Sequence, residues 1–282
     1  MKSVLITGGS GAFGTAFAKR MLMMQGGPLR IVILSRGEHR QAEMMRELEA
    51  LEGASWRMRY FIGDVRDRDR LRRAMEGIDV VIHAAALKRI EVGAYNPLEV
   101  KKTNIDGATN VIDAATDSDV TRVVALSSDK AFQPISPYGT SKAFAESLFL
   151  AANNTRGNFG PRFAIVRYGN VWNSTGSVVP TWRKILETSD TVPVTDPECT
   201  RFFMTMDEAI ALVLKTILVM KGGEIAIPTL SAYRLGDLAE AMGAKMDVRG
   251  LPTFEKRHES MAESNSSDKA RRMSVAELRA AL

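Results

Sequence analysis

Near its N-terminus the chain reads Ser3-Val4-Leu5-Ile6-Thr7-Gly8-Gly9-Ser10-Gly11-Ala12-Phe13-Gly14, and this stretch decides the fold class. A short apolar strand runs directly into a glycine-rich turn that opens a helix. Gly8 allows the tight turn, Gly11 lets the backbone approach a pyrophosphate, and Gly14 permits close packing of helix against strand. The phosphates would meet N–H groups at the positive end of the helix. We therefore predict a dinucleotide site with contacts at Gly8, Ser10, Gly11, Ala12, Phe13 and Gly14.

Short apolar runs alternate with helical spacing through the first 170 residues. This alternation predicts an α/β fold, a Rossmann-type doubly wound parallel sheet with a smaller C-terminal substrate-binding cap. We expect residues 1–170 to bind NADP and residues 171–282 to bind substrate, with the chain crossing between the two regions. The predicted strands are Ser3–Ile6, Ile31–Leu34, Met58–Ile62, Val80–Ile82, Val123–Leu126, Phe163–Val166 and Val192–Val194. The predicted helices are Ala12–Met24, Gln41–Leu51, Arg68–Met75, Pro97–Ala115, Tyr138–Asn153, Val178–Leu186, Asp207–Met220, Arg234–Met242 and Val275–Leu282, and 260–269 is predicted to be a loop.

Composition excludes several classes of protein. The 282 residues are 45% hydrophobic and 25% charged, which is typical of a globular protein. The longest apolar run in the C-terminal half, residues 209–220, is too short to span a bilayer, and the N-terminus lacks a signal peptide, so we expect a cytoplasmic protein. The single cysteine, Cys199, excludes an internal disulfide and a cysteine-based zinc site, and no metal is expected. A net charge of +5 from scattered arginines favours a solvated basic surface over attraction to phosphorylated ligands, and nothing in the sequence resembles a nucleic-acid module.

The end of the second strand indicates which dinucleotide binds. An NAD site would place an acidic residue there, but this chain has Ser35-Arg36, with Arg40 one turn later. A guanidinium pairs bidentately with phosphate and gains nothing comparable from a diol. We therefore predict NADP, with contacts from Ser35, Arg36 and Arg40. The alternative is that Arg36 points into solvent.

Two further strand ends complete the predicted cofactor site. Asp64-Val65 follows the third strand, where the carboxylate either accepts from the adenine amine or caps the next helix. Ala84-Ala85-Ala86 follows the fourth, where small side chains leave room for the cofactor. His83 is predicted to be a packed strand residue.

The catalytic prediction rests on the run from Ser127 to Lys142. Tyr138 and Lys142 lie four residues apart on one helix face, and Ser128 at a strand end can bond the same hydroxyl. A free phenol has a pKa of about 10, so we expect a nearby ammonium and the nicotinamide charge to lower the pKa of Tyr138. This couple suffices for a dehydrogenase or a 4-epimerase. Asp129-Lys130 is surplus to it, and supplies the acid and base needed to eliminate water beside a new ketone. The alternative is a solvated turn with a surface salt bridge.

The chain resembles the extended short-chain dehydrogenase/reductases. It is most similar to the UDP-N-acetylglucosamine 4,6-dehydratases that invert C5, of the polysaccharide-biosynthesis and pseudaminic-acid branch. The residues that carry the resemblance are Thr7–Gly14, Ser35-Arg36, His83–Lys88, Lys102–Asn104, Ser127–Lys142, Gly169–Val171, Gly176–Pro180, Thr200–Phe202 and Gly222–Ile225.

The resemblance implies a role for each matched residue. Asp129 would protonate the departing C6 hydroxyl, and Lys130 would remove the C5 proton and support its return from the opposite face. Relatives that retain C5 carry Asp-Glu there, so Lys130 indicates inversion. Lys88 and Asn104 would contact the cofactor. The UDP-sugar contacts would be Lys88, Asn170, Ser177, Val178, Arg201, Arg249 and Glu259.

The chain departs from the family near its C-terminus. The usual Arg-Pro-Gly-Glu-Lys-x-His-Glu is replaced by residues 249–259 with extra residues inside the motif, which bears on nucleotide and sugar selectivity. His258 is as consistent with a structural role as with a ligand contact. The rival functions are a UDP-sugar 4-epimerase and a non-catalytic NADP-binding regulatory protein. A homo-oligomer, a dimer or higher, is expected to pair through the helices predicted at Pro97–Ala115 and Tyr138–Asn153.

Overall fold

The computed structural model describes residues 1–157, 160–174 and 176–282. The strands in this part of the chain are β1 (Ser3–Thr7), β2 (Arg30–Ser35), β3 (Met58–Ile62), β4 (Val80–His83), β5 (Arg122–Ser128), β6 (Arg162–Tyr168), β7 (Thr191–Val194), β8 (Thr200–Phe202), β9 (Ile225–Ala226), β10 (Ala232–Arg234), β11 (Lys245–Val248), β12 (Ser260–Ala262) and β13 (Asn265–Ser266).

The α-helices in the same residues are α1 (Ala12–Met23), α2 (Glu38–Leu48), α3 (Ala54–Arg57), α4 (Arg68–Met75), α5 (Ile90–Tyr95), α6 (Pro97–Val100), α7 (Gly107–Thr116), α8 (Pro137–Thr155), α9 (Val178–Leu186), α10 (Met206–Val219), α11 (Leu235–Ala241) and α12 (Val275–Ala281). A π-helical segment, Lys101–Asp106, joins α6 to α7, and a 3-10 turn, Asp129–Ala131, follows β5.

A seven-stranded sheet forms the centre of the fold, in the order β3-β2-β1-β4-β5-β6-β9 with every neighbouring pair parallel. Successive strand residues point to opposite faces, so Val4 and Ile6 of β1 pack on one face and Leu5 on the other. Helices α1, α2 and α10 cover the first face, and α4, α7 and α8 cover the second. The predicted doubly wound parallel sheet is confirmed.

A smaller cap follows the sixth strand. Its own apolar cluster is built on Trp182 of α9, Tyr233 of β10 and Leu238 of α11. The pairs β10-β8, β11-β7 and β12-β13 form three separate two-stranded sheets. Between these elements α10 and β9 return to the main sheet, because α10 packs beside α1 and β9 pairs with β6.

Two of the predicted segments differ in type from the structure. The prediction of a loop at 260–269 is wrong, because β12 and β13 pair there around the fully buried Met261. The predicted helix Pro97–Ala115 is divided, since its centre winds as a π-helix. Buried tertiary contacts stabilise both segments. The spacing of apolar residues in the sequence does not reveal such contacts.

Among the described residues, none of the helices is both long and apolar enough to cross a membrane.

Candidate active site

The glycine-rich turn after β1 packs tightly against the residues that follow β4. Gly8 has φ +65°, and a Cβ there would lie 2.7 Å from Cα of Ala85. A Cβ on Gly14 would lie 2.6 Å from Cα of Gly9, so α1 starts directly against the turn. Gly11 precedes α1, and a Cβ there would meet only the Gly8 carbonyl oxygen, at 3.2 Å. The turn therefore presents bare backbone at a helix N-terminus, as a dinucleotide site requires.

Thr7 and His83 hold the ends of β1 and β4 against each other. No site role was predicted for Thr7. The Thr7 hydroxyl bonds Nδ1 of His83 at 2.8 Å and accepts from the Ala85 N–H at 3.3 Å. Burial, together with the Lys142 charge, lowers the pKa of His83 to about 3. His83 is therefore a neutral, packed strand residue, as predicted.

The residues after β2 and β3 form an exposed polar edge. Arg36 Nη1 lies 3.8 Å from Asp64 Oδ2, its side chain is 55% exposed, and Arg40 is exposed on α2. The Ser35 hydroxyl accepts from Gln41 Nε2 at 2.9 Å. Asp64 is not a helix cap: Asp67 caps α4 by accepting from Arg70 N, whereas Asp64 accepts from Arg66.

The π-helical segment positions the loop that follows β4. Asn104 is buried and exchanges two hydrogen bonds with the Leu87 backbone, at 2.8 and 3.0 Å. Its amide also donates to Ser141 Oγ of α8 at 2.9 Å. Asn104 thus ties the loop carrying Lys88 to α8, and both amide protons are used in doing so. Val65 is buried, and its carbonyl accepts from Asn110.

Ser128, Asp129 and Tyr138 form a connected buried chain at the carboxyl end of β5. Ser128 hydrogen-bonds Tyr138 and donates its own hydroxyl to Asp129 Oδ1 at 2.8 Å. Asp129 is completely buried. Burial raises the pKa of Tyr138, and the Lys130 charge and the Ser128 bond only partly oppose this. With these protein groups alone the pKa is raised, because burial of the hydroxyl outweighs both; the predicted lowering also includes the nicotinamide charge and stays a prediction.

Lys142 lies on the same helix face as Tyr138, with its ammonium directed to the sheet. Its Nζ donates to the Leu126 carbonyl at 2.5 Å. Burial lowers the pKa of Lys142 to about 8, and the Glu146 charge one turn later acts against that lowering. Glu146 is itself bound to Arg167 of β6, at 2.5 Å.

Lys130 is surrounded by oxygen atoms from three parts of the chain. Its Nζ lies 3.1 Å from Asp129 Oδ1, 3.2 Å from Asn170 Oδ1 and 3.4 Å from Glu259 Oε1. Burial lowers the pKa of Lys130, but the Asp129 and Glu259 charges more than offset it, so the pKa is raised. The alternative of a solvated surface turn is wrong, because both side chains of the pair are enclosed.

Two carboxylate oxygens beside this ammonium have no hydrogen-bond partner. They are Asp129 Oδ2 and Glu259 Oε2, both buried. Unpaired buried carboxylate oxygens are costly, so they indicate a place where a ligand donates hydrogen bonds. Asp129 Oδ2 faces Gly169, where a Cβ would approach it to 3.3 Å.

The C-terminal strap, residues 255–259, closes over this cluster, and only Glu259 was singled out there as a site residue. Glu255 pairs with Arg201, and Lys256 Nζ donates to the Phe132 carbonyl at 2.6 Å. His258 bonds the Thr200 hydroxyl at 2.8 Å. This bond gives His258 a structural role. The Glu-Lys-x-His-Glu pattern was the available signal for the strap.

The remaining predicted substrate residues are dispersed. Arg201 is buried and bonds the Thr200 and Arg257 carbonyls as well as Glu255. Ser177 precedes α9, and its buried hydroxyl has no partner, while Val178 packs into the cap. Arg249 is exposed at the end of β11 and pairs with Asp247 at 2.9 Å, apart from the contacts of the Lys130 cluster. Within the described residues, no group of three or more His, Cys, Asp or Glu side chains is arranged to hold a metal ion.

Comparisons with known proteins agree on the family. Residues 4–278 match the family described as polysaccharide biosynthesis protein. A Campylobacter jejuni protein named UDP-N-acetylglucosamine 4,6-dehydratase (inverting) is 44% identical over 269 residues, covering 94% of this chain and 79% of that protein. A Rickettsia prowazekii protein named UDP-glucose 4-epimerase is 36% identical over 277 residues, covering 95% and 80%.

A solved structure extends the similarity to three dimensions. The X-ray structure of Pen from Bacillus thuringiensis is 34% identical and superimposes with a TM-score of 0.93, covering 99% of this chain and 97% of that one. The sequence match, the parallel sheet and the glycine turn all point the same way. The chain belongs to the polysaccharide biosynthesis protein family, within the extended short-chain dehydrogenase/reductases.

Proposed function

We propose that this protein is an NADP-dependent UDP-N-acetylglucosamine 4,6-dehydratase that inverts C5. The observation that carries the proposal is the buried Asp129–Lys130 pair, which the Ser128 hydroxyl connects to Tyr138. A dehydrogenase or an epimerase needs Tyr138 and Lys142 but has no use for an enclosed acid and amine. The 44% identity to a protein named as an inverting dehydratase supports the same function.

The residues present fit a nicotinamide dinucleotide. The backbone of Gly8, Gly11 and Gly14 leaves room for a pyrophosphate at the start of α1, and Ala84 to Ala86 are small where the nicotinamide half would lie. The further cofactor contacts are proposed at Ser10, Ala12, Phe13, Ser35, Arg36, Arg40, Asp64, Val65, Lys88, Asn104, Tyr138 and Lys142. When bound, the cofactor would supply the redox chemistry, which is removal of a hydride from C4 of the sugar and its later return to C6.

Tyr138 acts first, as the base that takes the C4 hydroxyl proton. Its side chain is buried, so the phenolate is favoured only when positive charge surrounds it. Lys130 and the Ser128 hydrogen bond supply part of that stabilisation. The ketone formed at C4 makes the proton at C5 acidic.

Asp129 and Lys130 must then both become neutral, which reverses their resting protonation states. Elimination requires a protonated acid at the C6 oxygen and a neutral amine at C5. Transfer of one proton along the 3.1 Å hydrogen bond from Lys130 to Asp129 creates both at once. Asp129 gives this proton to the departing hydroxyl, which leaves as water, and Lys130 takes the C5 proton. The pair again holds one proton when elimination is complete.

Ser128 provides the route that resets the site. After the C5 proton is replaced from the opposite face with support from Lys130, the pair has lost a proton and Tyr138 holds one. Ser128 bonds both Tyr138 and Asp129, so a proton can pass from the phenol to the carboxylate through its hydroxyl. The sugar loses one water, and the protein returns to its starting charge.

We propose that the cap, with parts of residues 171–282, holds the nucleotide sugar. Asn170 and Glu259 lie at the Lys130 ammonium, and the unpartnered Ser177 hydroxyl is free to bond a ligand. Arg201 is the proposed diphosphate partner. To bind the diphosphate, the Arg201 guanidinium would have to break its ion pair with Glu255. Contacts from Lys88, Val178 and Arg249 complete the proposed set.

We also propose that the chain forms homodimers through α5, α6 and α8. These helices expose Tyr95, Leu98 and Phe144, and Tyr95 is 92% exposed. Large apolar side chains left exposed on neighbouring helices are typical of interfaces.

One experiment tests the proposed function. The protein is incubated with NADP and UDP-N-acetylglucosamine in D2O, and the sugar is followed by NMR. A new C6 methyl signal with deuterium at C5 is expected. A product of galacto configuration would instead favour the 4-epimerase, which the 36% identity to a Rickettsia prowazekii protein of that name keeps as the second candidate. No turnover with several nucleotide sugars would overturn both.

The choice of NADP over NAD predicts the effect of Arg36→Ala. We expect the Kd for NADP to rise by about tenfold or more, the scale of one charge-assisted hydrogen bond. The Kd for NAD should change by less than about twofold, since NAD has no 2′-phosphate for the guanidinium to bind. Fluorescence titration with both cofactors measures this, and Arg46→Ala, an exposed arginine on α2, is the matched control. Equal losses for the two cofactors would contradict the proposal.

A further inference from the structure

Six charged side chains, Lys130 among them, form one cluster, and their charges balance. The carboxylates are Asp129, Glu255 and Glu259, and the cations are Lys130, Arg201 and Lys256. Without the C-terminal strap, Asp129, Lys130 and Arg201 would carry a net positive charge. The strap contributes two carboxylates and one cation to this cluster, because its other cation, Arg257, pairs with Asp196 instead. The strap therefore supplies the neutralising charge.

Glu259 is the strap residue that reaches the ammonium. Its side chain is only 2% exposed, and its Oε1 lies 3.4 Å from Lys130 Nζ. Its backbone N–H donates to Ser267 Oγ at 2.9 Å, and that hydroxyl bonds Thr200, so the residue is anchored on both sides. These bonds place the Glu259 backbone so that its buried carboxylate reaches Lys130.

We propose that Glu259 is a positioning residue for Lys130. Its negative charge keeps the one shared proton on the Asp129–Lys130 pair, and its contact keeps the amine aligned for C5. This inference rests on the proposed function and assigns Glu259 a different role from the UDP-sugar contact implied by resemblance. When Asp129 becomes protonated, Glu259 is the remaining carboxylate at the amine. It then stabilises the ammonium that forms as Lys130 accepts the C5 proton.

The proposal fixes the direction of a pH effect. Elimination needs one proton on the Asp129–Lys130 pair, so activity falls at alkaline pH when that proton is lost. The negative charge of Glu259 opposes the loss. Removing that charge lets the proton leave at lower pH. The other titratable or charged groups that face the pair are Tyr138, Arg201, Tyr233, Lys256 and Glu259 itself, and Glu255 lies behind them against Arg201.

The test compares Glu259→Gln, Glu259→Asp and wild type over a range of pH. For Glu259→Gln we expect kcat to fall about tenfold or more, with KM within about twofold. The alkaline limb of kcat should move down by about one pH unit or more. Glu259→Asp keeps the charge, so its alkaline limb should lie between those of Glu259→Gln and wild type. Glu263→Gln, an exposed residue of the adjacent turn, is the matched control and should match wild type.

The outcomes separate this inference from the proposed function. If wild type makes no methyl product, the proposed function fails before Glu259 is tested. If wild type is active and Glu259→Gln keeps the same kcat and alkaline limb, the inference is overturned. A rise in KM with unchanged kcat would overturn it too, because it would make Glu259 a substrate contact. If Glu259→Gln does not fold, as judged by circular dichroism, Glu259→Asp decides: an alkaline limb identical to that of wild type overturns the inference.

Discussion

Lys130→Ala is expected to stop dehydration after C4 has been oxidised. Removing the amine takes away the base at C5, so we expect kcat for the methyl product to fall by about 10² to 10⁴. Tyr138, Ser128 and the glycine turn remain, so reduced cofactor should form in a single turnover and accumulate. Stopped-flow absorbance measures the reduced cofactor, and NMR in D2O should show almost no deuterium at C5.

Two controls keep this result specific to the amine. Lys130→Ala leaves Asp129 and Glu259 as buried carboxylates without their cation, so the free energy of unfolding is expected to drop by about 3 kcal/mol. Thermal melting checks that the variant is folded. Small alkylamines added to the variant should restore part of the rate, whereas Lys269→Ala at an exposed position should behave as wild type. Dehydration at near wild-type rate in Lys130→Ala would make the base assignment wrong.

The sequence was sufficient for six of the seven strands of the main sheet, because the residues of each of these strands show that it is buried. Strands such as Val80–His83 are apolar on both faces, and the glycine turn after Ser3–Thr7 marks the first crossover. The spacing of apolar residues cannot predict a strand as short as Ile225–Ala226. This strand forms by pairing with the edge of β6. The hairpin at Ser260–Ala262 was missed for a similar reason, since Met261 and Ser267 are held by tertiary contacts.

The candidate site divides in the same way. Asp129, Lys130 and Tyr138 were found because they are close in sequence and follow one strand. Glu259 lies at the Lys130 ammonium because the C-terminal strap folds back over β5 and β8. The spacing of residues in the sequence does not encode the distance between these two side chains. The raised pKa that the protein groups alone give Tyr138 was not predicted, because it depends on burial, which a helical Tyr-x-x-x-Lys pattern does not measure.

Tyr138→Phe is expected to block every step, because oxidation at C4 must precede loss of the C5 proton. The change removes one hydroxyl and leaves the buried ring in place, so the fold should be retained. We expect kcat to fall by about 10² to 10⁴. Unlike Lys130→Ala, this variant should form no reduced cofactor and exchange no deuterium at C5. Tyr95→Phe, on a side chain that is 92% exposed, is the matched control.

The pH dependence of cofactor reduction gives the Tyr138 assignment a second test. Reduction requires the phenolate, so its rate should rise with pH and level off above the pKa of Tyr138. The Lys130 charge lowers that pKa, and burial raises it. In Lys130→Ala the charge is gone, so the acidic limb of cofactor reduction should move to higher pH than in wild type. If the acidic limb does not move in Lys130→Ala, another group takes the C4 proton. The same conclusion follows if Tyr138→Phe still reduces the cofactor. If both variants behave as expected, oxidation at C4 depends on the charge of the same lysine that acts at C5, and the two halves of the reaction share one buried cluster.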